Sequence, residues 1–309
     1  MRTIFAKTLL ELAKENKDIV LLTADLGFKV FDEYRLALPK QFVNMGVAEQ
    51  NMIGVAAGLA LSGKKVYCYS MVPFLVMRPF EQIRVDVCNH NLNVTLVGVG
   101  GGLSYGMEGM THHGFEDISL MRSLPGMTVT APSDPIECEA ITRESVEYKG
   151  PLFIRLGKNN DPILNNDKVK IRIGKGVVIG DNGEICLIAT GSMLPVAKLV
   201  SKELAGNGLS PTLISMHTIK PLDVVLVARM AISHRAIFTI EEHSIIGGLG
   251  SAVAEYMMEE GHRCMFKKIG LPDKYCSHIG DHNFLKDKCG LTVENIKQQI
   301  LAVLNKGEG

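Results

Sequence analysis

A single carboxylate at the mouth of an apolar, glycine-punctuated segment constrains this chain more than any other feature. Residues 44–63 read NMGVAEQNMIGVAAGLALSG, and after Glu49, Gln50 and Asn51 no polar side chain follows until Ser62. Apolar on every side, the segment predicts a helix buried all round rather than an amphipathic surface helix. Gly54 and Gly58 leave one face bare, open to close approach by a second helix or chain. Glycine costs roughly 1 kcal/mol in a helix interior relative to alanine, so the pair points to an approach that matters. Glu49 falls in the first turn, where backbone N–H groups and the helix dipole favour the carboxylate while burial favours the neutral acid. A carboxyl poised between those pulls can share a proton with a ligand nitrogen. A capping acid with no further role is the plain alternative.

A chain of 309 residues exceeds one ordinary core and divides into two domains of roughly 150 residues each. Lys plus Arg equals Asp plus Glu at 33 each, and no long block of like charge stands out, so neither nucleic acid nor a membrane surface is indicated as partner. The longest apolar run, Met52 to Leu61, falls far short of the roughly 20 residues of a membrane span. The N-terminus has no signal-peptide core. Seven cysteines without CxxC or CxxH spacing read as thiols in a reducing compartment, which places the chain in the cytoplasm without structural zinc.

Taken in order, helical spacing over 4–14 leads into a buried strand within DIVLLTADLG (18–27). The central helix is followed by the strand KVYCYS (65–70) and a helix from Pro73 that Pro79 should kink or split. NVTLVGV (93–99) is a strand feeding a glycine-rich loop. FEDISLMRSL, MTVTAP, DPIECEAITRESVEY and PLFIRL then read as helix, strand, helix with Asp134 as cap, and strand. The alternation predicts an α/β fold with a mainly parallel, doubly covered sheet. The polar, turn-rich stretch that follows is the expected linker, giving domains at 1–160 and 176–309 joined by 161–175. The second unit repeats the α/β pattern, with strands at EICLIAT, PTLISMH, RAIFTIE and CMFKKIG and helices near 194–205, 223–232, 249–260 and 293–304. Two doubly wound domains are therefore expected.

The glycine loop is the second informative stretch. GGGLSYGMEGMTHHG holds six glycines in fifteen residues and ends in His112 and His113 beside Glu108, above a strand end where α/β sheets place ligands. An HExxH spacing and a Walker loop are absent, and Leu103 breaks GxGxxG. No metal site is expected in this chain.

Several segments together carry a resemblance: ADLG near Asp25, GVAEQNMIGVAAGLALSG, RPFEQIR, EGMTHH, PSDPIECEA, TIKPLD and EEHSIIGGLGSAVAE. In this order, and over nearly the whole chain, they resemble the C-terminal half of transketolases. They are also similar to 1-deoxyxylulose-5-phosphate synthase and, more distantly, to the beta subunits of pyruvate-dehydrogenase-type decarboxylases. The resemblance implies a thiamine-diphosphate pyrimidine-binding domain followed by a transketolase C-terminal domain. GDN at 180 and GDH at 280 do not complete the family's GDG…N signature for diphosphate and magnesium. It therefore implies a split enzyme, whose N-terminal partner subunit carries the diphosphate-binding domain and ligates Mg2+, in a two-plus-two assembly around a homodimer of this chain.

By resemblance, Glu49 matches the glutamate that hydrogen-bonds the aminopyrimidine ring nitrogen and helps deprotonate the thiazolium carbon. It acts on a cofactor whose diphosphate another subunit holds, which puts the glycine helix at a subunit interface. His112 matches the substrate histidine that stabilises or protonates the alkoxide formed from the ketose. Asp25 matches the aspartate of the turn near the thiamine. Glu108 stands where the family has Asp, and Gly100 where another substrate histidine is usual. Val72 aligns with the aromatic that stacks on the pyrimidine, and Phe74 is the nearest aromatic. Substrate-phosphate contacts fall at Arg2, Lys29 and Lys158, with Lys29 replacing a usual serine. The EEH at 241–243 reads as a strand-end turn packed against a neighbouring subunit. The activity implied is transfer of a two-carbon ketol unit from a ketose, a sugar phosphate foremost, to an aldehyde. A 2-oxo acid decarboxylase or deoxyxylulose-phosphate-synthase-like subunit, or a catalytically degenerate regulatory partner, are the alternatives.

Overall fold

The computed structural model describes residues 1–158, 161–165, 169–180 and 183–305. Part of the expected linker, 166–168, lies outside the described residues.

The first domain runs α1 (Arg2–Glu15), β1 (Ile19–Thr23), α2 (Asp32–Ala37), β2 (Phe42–Asn44), α3 (Glu49–Leu61) and β3 (Lys65–Met71). It continues with α4 (Val72–Val76), α5 (Phe80–Gln82), β4 (Val94–Val99), α6 (Asp117–Ser123), β5 (Thr128–Thr130), α7 (Pro135–Ser145) and β6 (Leu152–Leu156). The second contains β7 (Val177–Gly180), β8 (Ile185–Ala189), α8 (Leu194–Gly206), β9 (Thr212–Ser215), β10 (Thr218–Lys220) and α9 (Val224–Ser233). β11 (Ala236–Ser244), α10 (Leu249–Glu259), β12 (Met265–Leu271), α11 (His282–Lys288) and α12 (Val293–Leu304) complete it.

Both domains are α/β. Among the described residues the first sheet has the order β10-β5-β6-β4-β3-β1-β2 and the second β12-β11-β8-β9-β7. Continuous apolar runs such as IVLLT and ICLIA become strands buried at every position, as helices on both faces of a parallel sheet require. β10 departs from that scheme: it lies within the second domain's sequence yet pairs antiparallel with β5 of the first sheet. Its TIK run is too short to declare a strand by periodicity alone. The two units also share one apolar cluster, reaching from Met52 and Leu96 to Ile188 and Val253, all fully buried.

Local chemistry explains most boundaries. Pro79 divides the helix after β3, so α4 stops at Val76 and α5 starts at Phe80 before running into a π-helical turn to Cys88. Asp134 caps α7, its Oδ1 accepting the Glu137 N–H at 2.8 Å, and its Oδ2 accepts the N–H groups of Leu164 and Asn165, which ties the post-β6 segment to the first domain.

The structure corrects the expectation of a central helix buried on all sides. α3 buries Glu49, Met52, Ile53, Ala56 and Ala57, but Gln50, Asn51, Gly54, Val55, Gly58 and Leu61 are exposed in this chain. A Cβ built on Gly54 or Gly58 meets nothing within 4 Å. The apolar sequence hid an outward face on which Gly54 and Gly58 leave the backbone bare.

Candidate functional site

Every candidate residue except Arg2 lies beyond the carboxyl end of a parallel strand of the first sheet. Asp25 and Lys29 follow β1, Glu49 follows β2, Phe74 follows β3, Glu108 and His112 follow β4, and Lys158 follows β6. In open α/β sheets that edge is where ligands bind, because the connecting loops converge there and leave a crevice.

Glu49 opens α3 and is 3% exposed. Its N-cap is Ala48, which offers no side-chain oxygen, so the acid itself supplies the negative charge in the first turn. Arg78, half-exposed in the break between α4 and α5, approaches it: one guanidinium nitrogen, Nη1, lies 3.1 Å from Oε1 and 3.0 Å from Oε2. A single bridging nitrogen leaves the carboxylate with acceptor capacity for a ligand. The same guanidinium sits over Phe74, with Cζ 4.1 Å from the ring centroid. Phe74 in turn meets His112 edge to face at 5.1 Å. Val72, by contrast, is fully buried and fills the space beside Gly98 and Gly114.

His112 ends a short 3-10 turn and its Nδ1 shares a hydrogen bond with Thr111 Oγ1 at 2.9 Å. Its neighbour His113 turns inward, Nε2 lying 3.0 Å from the Gly106 carbonyl oxygen, and burial lowers its pKa. Only one of the paired histidines therefore faces the site. Tyr105 lies 6.0 Å from the His112 ring, and Lys158 places its ammonium 4.1 Å from the Tyr105 centroid. Burial raises the Tyr105 phenol, and the nearby Arg2 charge opposes that shift. Contacts thus link Glu49, Arg78, Phe74, His112, Tyr105 and Lys158 into one line. Beside it a cavity of about 370 Å³ is walled by Tyr105, Glu108 and Lys158 from the first domain and by Asp281 and His282 from the second.

Asp25 and Lys29 form a separate group. Asp25, with φ 52°, donates its N–H to Asn44 Oδ1 at 3.0 Å and accepts from Asn44 Nδ2 at 2.9 Å, joining the ends of β1 and β2. Lys29 is exposed, with φ 64°.

The glycines of the loop have an internal cause. A Cβ at Gly100 would come within 2.0 Å of the Tyr105 ring, one at Gly101 within 2.4 Å of the Arg155 guanidinium, and one at Gly102 within 2.5 Å of Glu242 Oε1. The close approach is by the chain's own side chains. Arg155 and Asp117 form a buried ion pair at 2.7 Å, and Arg155 also donates to the carbonyls of Gly114 and Glu242. Glu242 accepts from the Leu103 N–H at 2.7 Å.

The EEH segment departs from its expected place. Glu241, Glu242 and His243 are not a turn but the last part of β11, almost fully buried, and Glu242 and His243 bond to Leu103 and Ser119 of the first domain. Glu241 accepts the Leu249 and Gly250 N–H groups at the start of α10, each at 2.7 Å, and His243 receives the Ser119 N–H at 3.3 Å. Sequence reasoning passed over Arg78, Tyr105 and His282 as site residues. RPFEQIR held a signal for the first, an arginine before a helix-breaking proline; the other two carry no local mark.

Residues 1–162 match the transketolase pyrimidine-binding domain, and residues 174–296 match the transketolase C-terminal domain. The chain belongs to the transketolase family. It is 38% identical over 309 residues to a putative transketolase C-terminal section of Methanocaldococcus jannaschii, covering 99% of this chain and 96% of that one. It is also 36% identical over 299 residues to the 6-deoxy-6-sulfo-D-fructose transketolase subunit SqwH of Clostridium sp. (strain MSTE9), covering 96% and 92%. The solved structure of a split-gene transketolase, an inactive beta4 tetramer, superposes with a TM-score of 0.90 at 35% identity and 98% coverage of both chains. Over its length, then, this chain corresponds to the C-terminal subunit of a split transketolase, and the family implies dependence on thiamine diphosphate.

Proposed function

We propose that this chain, joined to an N-terminal subunit that holds the cofactor's diphosphate through Mg2+, transfers a two-carbon ketol unit from a sugar ketose to an aldehyde. The observation that carries the reading is the buried Glu49 carboxylate set beside Phe74 and His112 at the strand ends. An acid, an aromatic ring and an imidazole in that sequence suit the pyrimidine half of the cofactor, with Glu49 and Phe74 holding it and Asp25 in the neighbouring turn. The missing GDG…N signature supports a partner as the source of the metal and diphosphate contacts.

Thiamine diphosphate, when bound, would supply a nucleophilic carbon for ketose chemistry. Glu49 holds a proton at the pyrimidine ring nitrogen, and low exposure keeps water from competing for it. His112 would donate to the oxyanion that develops at the ketose oxygen and stabilise or protonate that alkoxide. Glu108 accepts from sugar hydroxyls, while Lys158 and Arg2 face the far end of the substrate, with Lys29 an outer contact. Domains at 1–160 and 176–309 with a linker at 161–175, a homodimer of this chain within a two-plus-two assembly, and a cytoplasmic location complete the proposal. Among the described residues no helix is long and apolar enough to cross a membrane.

The test is co-expression with a partner chain that carries GDG…N, followed by assays of ketose cleavage with thiamine diphosphate and Mg2+. Turnover that needs both chains is the expected result. A stable pair with no cofactor-dependent turnover would reject the reading.

A further inference from the structure

Two cysteines flank α11. Cys276 lies in the segment between β12 and α11, and Cys289 is the residue on which α11 ends. That segment turns back along the helix it leads into: the His278 ring meets the Phe284 ring at 6.3 Å, and a Cβ on Gly280 would come within 2.2 Å of the same Phe284 ring. Cys276 Sγ lies 4.0 Å from the His278 carbonyl oxygen. The fold-back brings the two thiols together, with a hydrogen bond between the Cys289 and Cys276 side chains. Both are half-buried and pack on the apolar cluster that holds Leu285 and Leu291. The stretch of chain between them contains Asp281 and His282, the second domain's part of the cavity wall.

We propose that Cys276 and Cys289 are a redox modification site, a dithiol that a peroxide converts to a disulfide, clamping residues 276–289 and with them the cavity wall. The inference goes beyond the ketose-transfer reading and stands apart from it, since its test reads no turnover. Burial above all pushes the Cys289 thiol up to about 12, and the charge and hydrogen bond of Cys276 and the charge of Glu242 add to that, while Lys274 opposes it. Held as a thiol, Cys289 leaves Cys276 to attack first, because the thiolate is the nucleophile. The Cys276 sulfur takes one oxygen of hydrogen peroxide as the O–O bond breaks, becoming a sulfenic acid, and the released hydroxide collects the Cys276 proton as water. The Cys289 sulfur then displaces the sulfenic hydroxyl, which leaves with the Cys289 proton as a second water. Two thiols and one peroxide thus give one disulfide and two waters. Cys264 is an internal control: it is also half-buried but precedes β12, roughly 20 Å along the strand from the segment that carries Cys276.

The experiment treats the full reduced chain with hydrogen peroxide, alkylates it under denaturing conditions and maps its peptides by mass spectrometry. Met107, 75% exposed, gauges the oxidant through its conversion to the sulfoxide. The expected result is five alkylated cysteines in place of the seven of the reduced chain, a linked peptide pair holding Cys276 and Cys289, and recovery of all seven with dithiothreitol. Neither Cys276→Ser nor Cys289→Ser should give an intrachain link. Amide hydrogen exchange over 277–288 should slow by about tenfold in the oxidised wild-type chain. Seven alkylated cysteines once Met107 is oxidised, a link that uses Cys264 or joins two chains, or irreversible oxidation of either sulfur without a link overturns the inference. A Cys276–Cys289 link with unchanged exchange overturns the clamp.

Discussion

Arg78 holds Glu49 by a single nitrogen that bridges both carboxylate oxygens, at 3.1 and 3.0 Å, while its guanidinium carbon rests 4.1 Å above Phe74. One side chain therefore sets the acid and the aromatic ring at a fixed spacing before any ligand arrives. The arrangement follows from Pro79, which breaks the helix where Arg78 stands and turns its side chain toward the start of α3.

If Glu49 manages the proton at a ligand nitrogen, Glu49→Gln keeps the shape and removes the basic site. Turnover in the two-chain enzyme should fall about 10²–10⁴-fold while the circular-dichroism melt stays near wild type. Near-wild-type rates would remove Glu49 from the proposed role.

Arg78→Met tests the spacing itself. Arg78 is half-exposed, so its charge is screened and little stability should be lost. Cofactor affinity should weaken by about tenfold, read by isothermal titration on the assembled enzyme. Equal affinity in both proteins would show that Arg78 does not organise the site.

Arg155, paired with Asp117 in the first domain, reaches the second through the Glu242 carbonyl. Removing one partner of a buried pair strands the other, so Arg155→Met should cost about 3–5 kcal/mol in urea denaturation. An unchanged midpoint would mean that the pair contributes nothing net.

Burial lifts the Glu241 carboxyl from 4.5 to about 7, despite the opposing pull of the Gly250 and Leu249 N–H groups. The folded chain then keeps a proton that the unfolded chain has lost. Its contribution is complete below pH 4.5 and disappears as the pH climbs through about 7. His217 and His243, lowered by burial to about 4, act in the opposite direction, so the readout is a difference. Between pH 4.5 and about 7 the wild-type urea midpoint should decline relative to that of Glu241→Gln. Parallel curves would contradict the linkage.

At Gly54 and Gly58 the isolated chain gains from alanine, since the added methyl meets nothing and the helix costs less to form. Each substitution should stabilise the lone chain by roughly 0.5–1 kcal/mol. Assembly should weaken if chains meet on that face, and light scattering on wild type and the double variant decides it. Unaltered assembly would place the contact elsewhere.

The strands at KVYCYS, NVTLVGV, PLFIRL and RAIFTIE and the cap at Asp134 were legible because burial and capping leave local signatures in residue type and spacing. So was the placement of Glu49 at a helix mouth, since a lone acid before an apolar run has few other uses. Short or edge elements were not legible: α2, β2 and β10 have too few residues for a period to show. Which face of α3 is buried, which of His112 and His113 faces the site, and why Gly100, Gly101 and Gly102 must lack side chains all depend on residues distant in sequence. Tyr105, Arg155 and Glu242 occupy the space over those glycines, and only the packing of β11 against the first domain brings the last of them there. The sequence by itself determined the α/β alternation, the strand ends and the acid among them, because those are set by near neighbours. The line from Glu49 to Lys158 and the cavity closed by His282 were decided by tertiary structure, because they arise from loops that converge at one sheet edge and from a second domain folded onto it.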